Sequence, residues 1–216
     1  MSVIPYCILL VDSVLTIPLS GIQNSTVHRL RRGKLLALYS ELERSNISAS
    51  TFREAALVFH RVVHAVFDQG AVVPFRFPTW LSSPELAEHL NQHSDRYTTF
   101  LTRTVSHVQM EMRLTSLSRG SPSGATSGAA YLRERGAEAR RLESVAATLK
   151  KLLSSEVSEW RERDTPDGLR LYALVDRKNI AGFRERLRER QPEAGVHLSG
   201  PWPATEFLES PRRSDG

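Results

Sequence analysis

The sequence is poor in cysteine: Cys7 is the one thiol among 216 residues. A single cysteine cannot form a disulfide within the chain, so the fold cannot depend on internal cross-links. Cys7 lies in the apolar run at residues 6–11, where no neighbouring histidine or basic residue would lower its pKa. We therefore expect a reduced, buried thiol without catalytic function in a cytoplasmic protein.

Long apolar runs are also missing. A membrane-spanning helix needs about 20 consecutive apolar residues. The nearest approach, at residues 3–19, is interrupted by Pro5, Asp12, Ser13 and Pro18. No basic residues precede this stretch, as they would in a signal peptide. We therefore expect no membrane association.

The motifs of common enzyme families do not occur. The chain has no GxGxxG, no GxSxG and no GxxxxGK motif followed by Ser or Thr. Two histidine pairs, His60 with His64 and His89 with His93, have the spacing that could share a metal ion on a helix. Because Arg61 stands where a zinc protease has glutamate, we expect the first pair on a solvated face. We expect His93 in the core, bonded to a backbone group. No catalytic, cofactor-binding or metal-binding residues are predicted, and we expect no enzymatic activity.

Positive charge exceeds negative charge by five, with 29 Lys and Arg against 24 Asp and Glu. Such a surplus is compatible with a nucleic-acid partner. The densest arginine cluster, at residues 184–190, is interleaved with Glu185 and Glu189, a pattern typical of a solvated, ion-paired helix face. A nucleic-acid-binding module that uses the arginine-rich helices is therefore the alternative function that these residues leave open.

A segment rich in Gly, Ser and Pro at residues 118–128 predicts a flexible linker between two domains. The first domain would span residues 1–117 and the second residues 129–209. The polar residues 210–216 predict a disordered tail.

The first domain combines strands with two helices. Thr51 and Glu54 have the spacing of a capping box at the start of the first helix, and Ser83 is predicted to cap a second helix that extends to Leu101. This order predicts an α+β sandwich of the ferredoxin-like kind. Strands are predicted at residues 6–11, 34–39, 71–77 and 108–114.

The second domain is predicted to begin with one long helix at residues 129–160, because apolar residues recur at helical spacing from Leu142 to Trp160. A strand at 169–175, a helix at 177–190 and a strand at 196–198 follow. Because the joins between them are short, they predict a βαβ unit within an α+β domain.

Two short stretches carry more constraints than ordinary loops. Residues 73–79 place Arg76 between two phenylalanines in a predicted strand, where a buried guanidinium would need a carboxylate or carbonyl partner. Residues 198–203 hold Trp202 between two prolines, in a stiff extended segment after the last strand. Trp202 would either cover the core or contact a partner protein, and the residues leave both interpretations open.

Both stretches, in this order and at this separation, resemble the gas vesicle protein family GvpL/GvpF, whose members carry segments like lPlRFGT and tGPWPPYsF. The resemblance extends from about residue 50 to residue 207. The matching residues are Pro74, Arg76, Phe77 and Thr79 in the first segment and Gly200, Pro201, Trp202, Pro203 and Phe207 in the second.

The resemblance implies a two-domain cytoplasmic protein that has no catalytic activity and no cofactor. It implies an accessory or minor structural component of gas vesicle formation. Such a protein would bind the small hydrophobic shell protein or other accessory gas vesicle proteins during assembly. The matching residues would then either stabilise the fold or contact such a partner.

Overall fold

The computed structural model describes residues 2–13, 16–115, 128–189 and 195–208. The described residues divide into two compact units. The first unit comprises the residues up to Ser106 together with those from Pro203 onward, and the second comprises His107–Trp202. The chain therefore leaves the first unit and later returns to it.

The first unit contains a four-stranded antiparallel sheet. Cys7 lies in its strand β1 and is buried, which confirms the expected buried thiol, and this burial raises the pKa of the thiol to about 12. Pro74 lies at the edge of the sheet in β4, as predicted, where its missing N–H costs no ladder bond. The strands are β1 (Ser2–Leu10), β2 (His28–Arg32), β3 (Leu35–Leu42) and β4 (Val73–Pro74), in the order β2-β3-β1-β4.

Strand β2 has no counterpart in the sequence prediction, which interprets residues 31–33 as a turn signal. The turn comes one residue later, at Gly33 and Lys34, between the paired Arg32 and Leu35. Gly33 has a φ of +55°, a conformation that glycine adopts at little cost. The arginines before it extend the sheet as an edge strand.

Three helices pack against this sheet: α1 (Phe52–Phe67), α2 (Ser83–Gln92) and α3 (Ser94–Arg103). The single helix predicted for residues 83–101 is wrong. His93 separates α2 from α3, because its backbone, with φ −111° and ψ 14°, departs from helical geometry. Two short helices therefore replace one long helix.

The helix caps also differ from the prediction. Thr51 has helical backbone angles, and its side chain makes no capping hydrogen bond, so the box predicted for Thr51 and Glu54 is wrong. A complete capping box lies at α2, where the cap is Ser82 and not Ser83. The Ser82 hydroxyl accepts the N–H of Glu85 at 3.3 Å, and the Ser82 N–H donates to the Glu85 carboxylate at 2.6 Å. Chiefly through that backbone bond, Ser82 lowers the pKa of Glu85.

The second unit contains another four-stranded antiparallel sheet. Its strands are β5 (His107–Thr115), β6 (Val157–Thr165), β7 (Gly168–Asp176) and β8 (Val196–Trp202), in the order β6-β7-β5-β8. Helices α4 (Gly128–Leu152) and α5 (Ile180–Glu189) pack against β7. Because β7 and β8 both run antiparallel to β5, they are parallel to each other. The predicted βαβ unit is therefore present, with β5 inserted between its two strands.

The long helix α4 is shorter than predicted. It ends at Leu152, and residues 157–160 begin β6 instead. Apolar residues continue at helical spacing through Leu153 and Val157, so periodicity alone does not mark the boundary. The signal that does mark a hairpin comes later, at Pro166 and Asp167, which form the two-residue turn between β6 and β7.

Strand β5 corrects the predicted membership of the first sheet. Residues 108–114 were predicted as a strand of the first domain, whereas β5 lies between β7 and β8 in the second unit. The alternation of these residues predicts a strand with one buried face, but it does not specify which sheet the strand joins. The predicted linker at 118–128 and the tail at 210–216 lie outside the described residues, apart from Gly128, which begins α4.

Across the described ranges, the helices lack the length and apolar character that crossing a membrane requires.

Candidate partner-binding site

Residues 73–79, here called the first motif, have a backbone that is fixed at several points. The N–H of Phe75 donates to the carbonyl oxygen of Tyr6 at 2.9 Å. Further along, the hydroxyl of Thr79 donates to the carbonyl oxygen of Arg76 at 2.5 Å. Most of the motif therefore holds a defined shape outside regular secondary structure.

Arg76 is exposed, which corrects the expectation of a buried guanidinium. Successive side chains of an extended segment point to opposite sides, and here Phe75 and Phe77 are half-buried while Arg76 lies in solvent. Within the part of the chain that the structure describes, its side chain makes no hydrogen bond or ion pair. Arg76 therefore does not hold the motif together.

Phe77 anchors the first motif in a row of aromatic rings. Its ring centroid lies 5.2 Å from that of Phe59 and 5.3 Å from that of Phe52, both on α1. Phe59 in turn lies 5.3 Å from Tyr6. Tyr6 and Phe59 are buried, Phe77 is half-buried and Phe52 is 44% exposed. The row thus leads from the core to the surface, where it exposes apolar area.

Tyr6, the inner end of this row, is positioned by a β-bulge. Strand β1 carries one extra residue there relative to β3, and bulges redirect side chains in this way. The Tyr6 hydroxyl donates to the hydroxyl of Ser40 at 3.0 Å and accepts the N–H of Ile22 at 3.0 Å. A Cβ at Gly21 would collide with that hydroxyl. Buried hydrogen bonds therefore fix the base of the aromatic row.

The matching residues near the end of the chain, 200–207, are here called the second motif. Its first part lies within β8, not after the last strand as predicted. Gly200 and Pro201 lie opposite the single residue Met110 of β5, which makes a bulge at the sheet edge. Gly200 has a φ of +113°, and a Cβ there would lie 2.9 Å from the carbonyl oxygen of Gln109. Glycine is therefore required by both backbone conformation and space.

Trp202, at the end of β8, is 36% exposed. Its indole Nε1–H donates to the hydroxyl of Ser199 at 3.2 Å. A tryptophan buried as a cover for the core would expose far less of its ring, so Trp202 covers the core only in part.

The second part of this motif, from Pro203 to Phe207, belongs to the first unit. Phe207 is fully buried. Its carbonyl oxygen accepts a hydrogen bond from Nη2 of Arg103, the last residue of α3, at 2.7 Å. This part of the motif therefore fastens the returning chain to the first unit.

His89, His93 and Tyr97 form a cluster on α2 and α3. His89 Nε2 lies 2.9 Å from the Tyr97 hydroxyl, and the His93 ring lies 4.7 Å from the His89 ring. His93 is half-buried, and the histidine with the hydrogen bond is His89, which corrects the expected core role of His93. Burial lowers the pKa of His89, and the charges of His93 and Arg96 lower it further.

The other histidine pair lies on α1. His60 is exposed, as expected, and His64 is half-buried, with its Nδ1 3.7 Å from the carboxylate of Asp68. Over residues 2–13, 16–115, 128–189 and 195–208, no group of three or more His, Cys, Asp or Glu side chains is placed to hold a metal ion.

The arginines of α5 contact groups of their own unit. Arg186 lies 3.1 Å from the carboxylate of Glu156, and Arg184 donates to the carbonyl oxygen of Gly200 at 2.8 Å. Arg161 and Arg163 lie on β6. The ion pair and the carbonyl bond agree with the expected mixed-charge face.

Sequence reasoning missed two residues of the site, Phe52 and Arg103. Phe52 lies at helical spacing with the apolar residues of α1, a pattern that predicts a core position, but it is the first residue of the helix and remains exposed. Arg103 bonds to Phe207 across 104 residues of sequence, and no local pattern could indicate such a pair.

The family model described as gas vesicle synthesis protein GvpL/GvpF matches residues 3–209, which include both motifs. The chain belongs to this family. Membership gives it a role in gas vesicle formation and confirms the resemblance that the two motifs indicate.

Two crystal structures are similar to this member of the GvpL/GvpF family. That of the gas vesicle protein GvpF from Anabaena sp. PCC7120 has a TM-score of 0.72 and 15% sequence identity, covering 97% of this chain and 97% of that chain. That of GvpF from Microcystis aeruginosa has a TM-score of 0.73 and 15% identity, covering 96% and 98% respectively. At this identity the similarity shows a shared fold, which confirms the α+β class. A search of curated proteins gave no match.

Proposed function

We propose that this protein is a non-enzymatic assembly factor that acts in the cytoplasm and at the growing gas vesicle. It binds the hydrophobic shell protein or other accessory gas vesicle proteins while the vesicle forms. The observation that carries this proposal is the family match over residues 3–209, which contains both motifs.

The surface chemistry of the motifs supports a binding role. Trp202 in the second motif and Arg76 in the first are both exposed. Tryptophan and arginine are the residue types that contribute most often to the energetic centres of protein interfaces. We further propose that the buried motif residues, such as Phe207, stabilise the fold that presents the exposed ones.

The proposal is tested by deleting the gene in the organism that makes the vesicles. We expect vesicles to be lost or strongly reduced, and to return when the gene is supplied again. In parallel, the purified chain should retain the shell protein or an accessory gas vesicle protein in a pull-down. Normal vesicles after deletion, together with no binding, would refute the proposal.

The purified chain also serves to test the nucleic-acid alternative. Binding of duplex DNA that falls steeply as salt is added would indicate phosphate contacts. We expect no such binding at physiological salt.

A further inference from the structure

Three arginines and a histidine lie side by side across the sheet of the second unit. Arg163 of β6 is paired with Arg170 of β7, which is paired with Arg113 of β5. Arg113 is also paired with His197 of the edge strand β8. Residues directly opposite one another in neighbouring strands share a face of the sheet. Because neighbouring strands lie about 4.8 Å apart, these four side chains, here called the cationic row, form one line across all four strands.

The cationic row lies on the sheet face that points away from α4. Glu162, which precedes Arg163 in β6, contacts Lys150 of α4. Since successive side chains of a strand point to opposite faces, Arg163 and the rest of the row face the other side. Three members of the row are exposed, and Arg170 is half-buried. The row is therefore accessible to a partner.

The charges of the row are compensated only in part within the chain. Nη1 of Arg170 lies 3.3 Å from the carboxylate of Glu111, and Cζ of Arg163 lies 5.8 Å from the ring centroid of Tyr172. The Arg113 side chain makes no hydrogen bond or ion pair with any other described residue. Like charges directly opposite one another destabilise a sheet. Placing Arg113 opposite Arg170 therefore costs stability, which points to a role other than holding the sheet together.

We propose that the cationic row is a docking surface for a helix of another gas vesicle protein that carries one acidic side chain on each successive turn. The helix would lie across the four strands, and its carboxylates would accept charge-assisted hydrogen bonds from the guanidinium groups of the row. The inference rests on the proposed function, because that function supplies the class of partner.

The spacing of the row selects a helix. Neighbouring members are about 4.8 Å apart, and one turn of an α-helix rises about 5.4 Å. Over the three intervals of the row the two spacings differ by about 2 Å, which flexible arginine side chains can accommodate. In an extended segment, side chains on one face repeat at about 6.7 Å, so the mismatch would reach about 6 Å over the same distance.

The surroundings of the row favour an acidic protein segment over other anions. Proteins that bind single-stranded nucleic acid combine a cationic surface with aromatic rings on which bases stack. The ring next to the row, Tyr172, is buried, and Arg163 lies over it. The segment that follows β5 does not supply the missing carboxylates, because residues 116–127 contain neither Asp nor Glu. A separate acidic helix is therefore the occupant that fits.

The test uses the full-length chain and each gas vesicle protein of the same organism as a separate soluble fusion. Binding is measured by biolayer interferometry for the wild type, Arg113→Glu, Arg113→Gln and the control Arg188→Glu. Arg188 is an exposed arginine of α5, which packs beside α4, so its reversal changes the net charge equally. We expect Arg113→Glu to weaken binding of at least one partner by about tenfold or more, because it sets like charges against each other. Arg113→Gln should weaken binding less, and Arg188→Glu should leave it within about twofold.

Thermal unfolding separates docking from a structural role of Arg113. Because Arg113 lies opposite Arg170, its replacement by Glu removes a repulsion and should leave the melting temperature unchanged or raise it. Weaker binding together with a lower melting temperature would refute the docking surface, since damage to the fold would then explain the loss of binding.

A charge swap then identifies the acidic helix. Each Asp and Glu of the bound partner is changed to Arg. The changes that weaken binding to the wild type should recur three or four residues apart, and at least one of them should restore binding to Arg113→Glu. If no position restores binding, if the sensitive positions lack helical spacing, or if Arg113→Glu binds as well as the wild type, the docking surface is refuted. Competition by duplex DNA, or self-association lost in Arg113→Glu, would also refute it by identifying a different occupant.

Complementation separates this inference from the proposed function. If the wild-type gene and Arg113→Glu restore vesicles equally well in the deletion strain, the docking surface is refuted while the role in assembly stands. The same holds if the wild type restores vesicles but binds none of the gas vesicle proteins. If deletion leaves vesicles normal, the proposed function itself fails, and the docking surface fails with it.

Discussion

The guanidinium of Arg103 donates to the carbonyl oxygen of Phe207 at 2.7 Å, although 104 residues separate the two in sequence. All of the second unit is inserted between them. This hydrogen bond therefore ties the end of α3 to the segment with which the chain re-enters the first unit.

Arg103→Ala should destabilise the first unit. The substitution removes a hydrogen bond from a charged donor, and such bonds contribute about 1.5–3 kcal/mol. We expect the free energy of unfolding, measured in urea, to fall by about 1.5 kcal/mol, near the lower end of that range. Arg53→Ala, at an exposed position of α1, serves as the control and should change the free energy of unfolding by less than about 0.5 kcal/mol. Equal losses in both variants would contradict the importance of the Phe207 contact.

Tyr6→Phe tests the hydrogen bonds beneath the aromatic row. The change keeps the ring contact with Phe59 but leaves the N–H of Ile22 without its acceptor. A buried donor left unsatisfied costs about 1–3 kcal/mol. We therefore expect the free energy of unfolding, measured by chemical denaturation, to fall by about this amount. Tyr39→Phe, on the neighbouring strand at a half-buried position, should cost clearly less.

Trp202→Ala and Phe207→Ala separate the two parts of the second motif. From the sequence, which suggests a buried ring, Trp202→Ala is predicted to lower the free energy of unfolding by about 3 kcal/mol or more. Because Trp202 is 36% exposed, we now expect about 1–2 kcal/mol for it. Phe207 is fully buried, and its truncation should cost about 3–5 kcal/mol. Thermal unfolding of both variants checks the order, and a larger loss for Trp202→Ala would overturn it.

Ser82→Ala and Ser83→Ala form a matched pair one residue apart. Ser82 caps α2 through the bond with Glu85, and loss of an N-cap costs about 1 kcal/mol. Ser83, the cap that the sequence predicts, is an exposed residue inside the helix. We expect Ser83→Ala to change stability by less than about 0.5 kcal/mol. The two urea midpoints decide which serine is the cap.

His89 should make the stability of the protein fall in weak acid. Its pKa is lowered from 6.5 by burial first, and then by the charges of His93 and Arg96. The unfolded chain therefore takes up a proton at a higher pH than the folded chain does. Stability is complete above about pH 6.5 and decreases as the pH falls towards the folded-state pKa.

The groups that face His89 define the control for this pH dependence. They are the rings of Phe75 and Tyr97 and the charges of His93 and Arg96. His89→Gln keeps a polar side chain near Tyr97 but cannot titrate, so part of the loss in acid should disappear. His60→Gln, at an exposed histidine of α1, should retain the whole loss. Unfolding midpoints between pH 5 and pH 8, the range in which histidine titrates, provide the measurement.

Local patterns predicted the elements whose boundaries depend on local chemistry. The alternation in β5 and the apolar stripe of α1 both correspond to real elements, because one buried face imposes its period on the sequence. The end of α4 was missed because apolar spacing continues across it into β6. The sheet that β5 joins was also missed, since pairing partners are chosen by contacts far apart in the sequence.

For the candidate site, the sequence identified the motifs but not how they are presented. The phenylalanines on either side of Arg76 suggested burial, whereas the alternation of an extended segment places Arg76 on the opposite side from both of them. The contribution of Phe52 depends on its contact with Phe77, 25 positions later in the chain, a relationship that becomes visible only once α1 has packed.

The return of the chain at Pro203 has a consequence for synthesis on the ribosome. Domains are usually completed in the order in which they are translated. Here the core of the first unit includes Phe207, which is translated after the whole of the second unit. The second unit can therefore finish folding before the last core residue of the first unit has been synthesised. Folding of the first unit is then completed only when the segment that carries the second motif has been added.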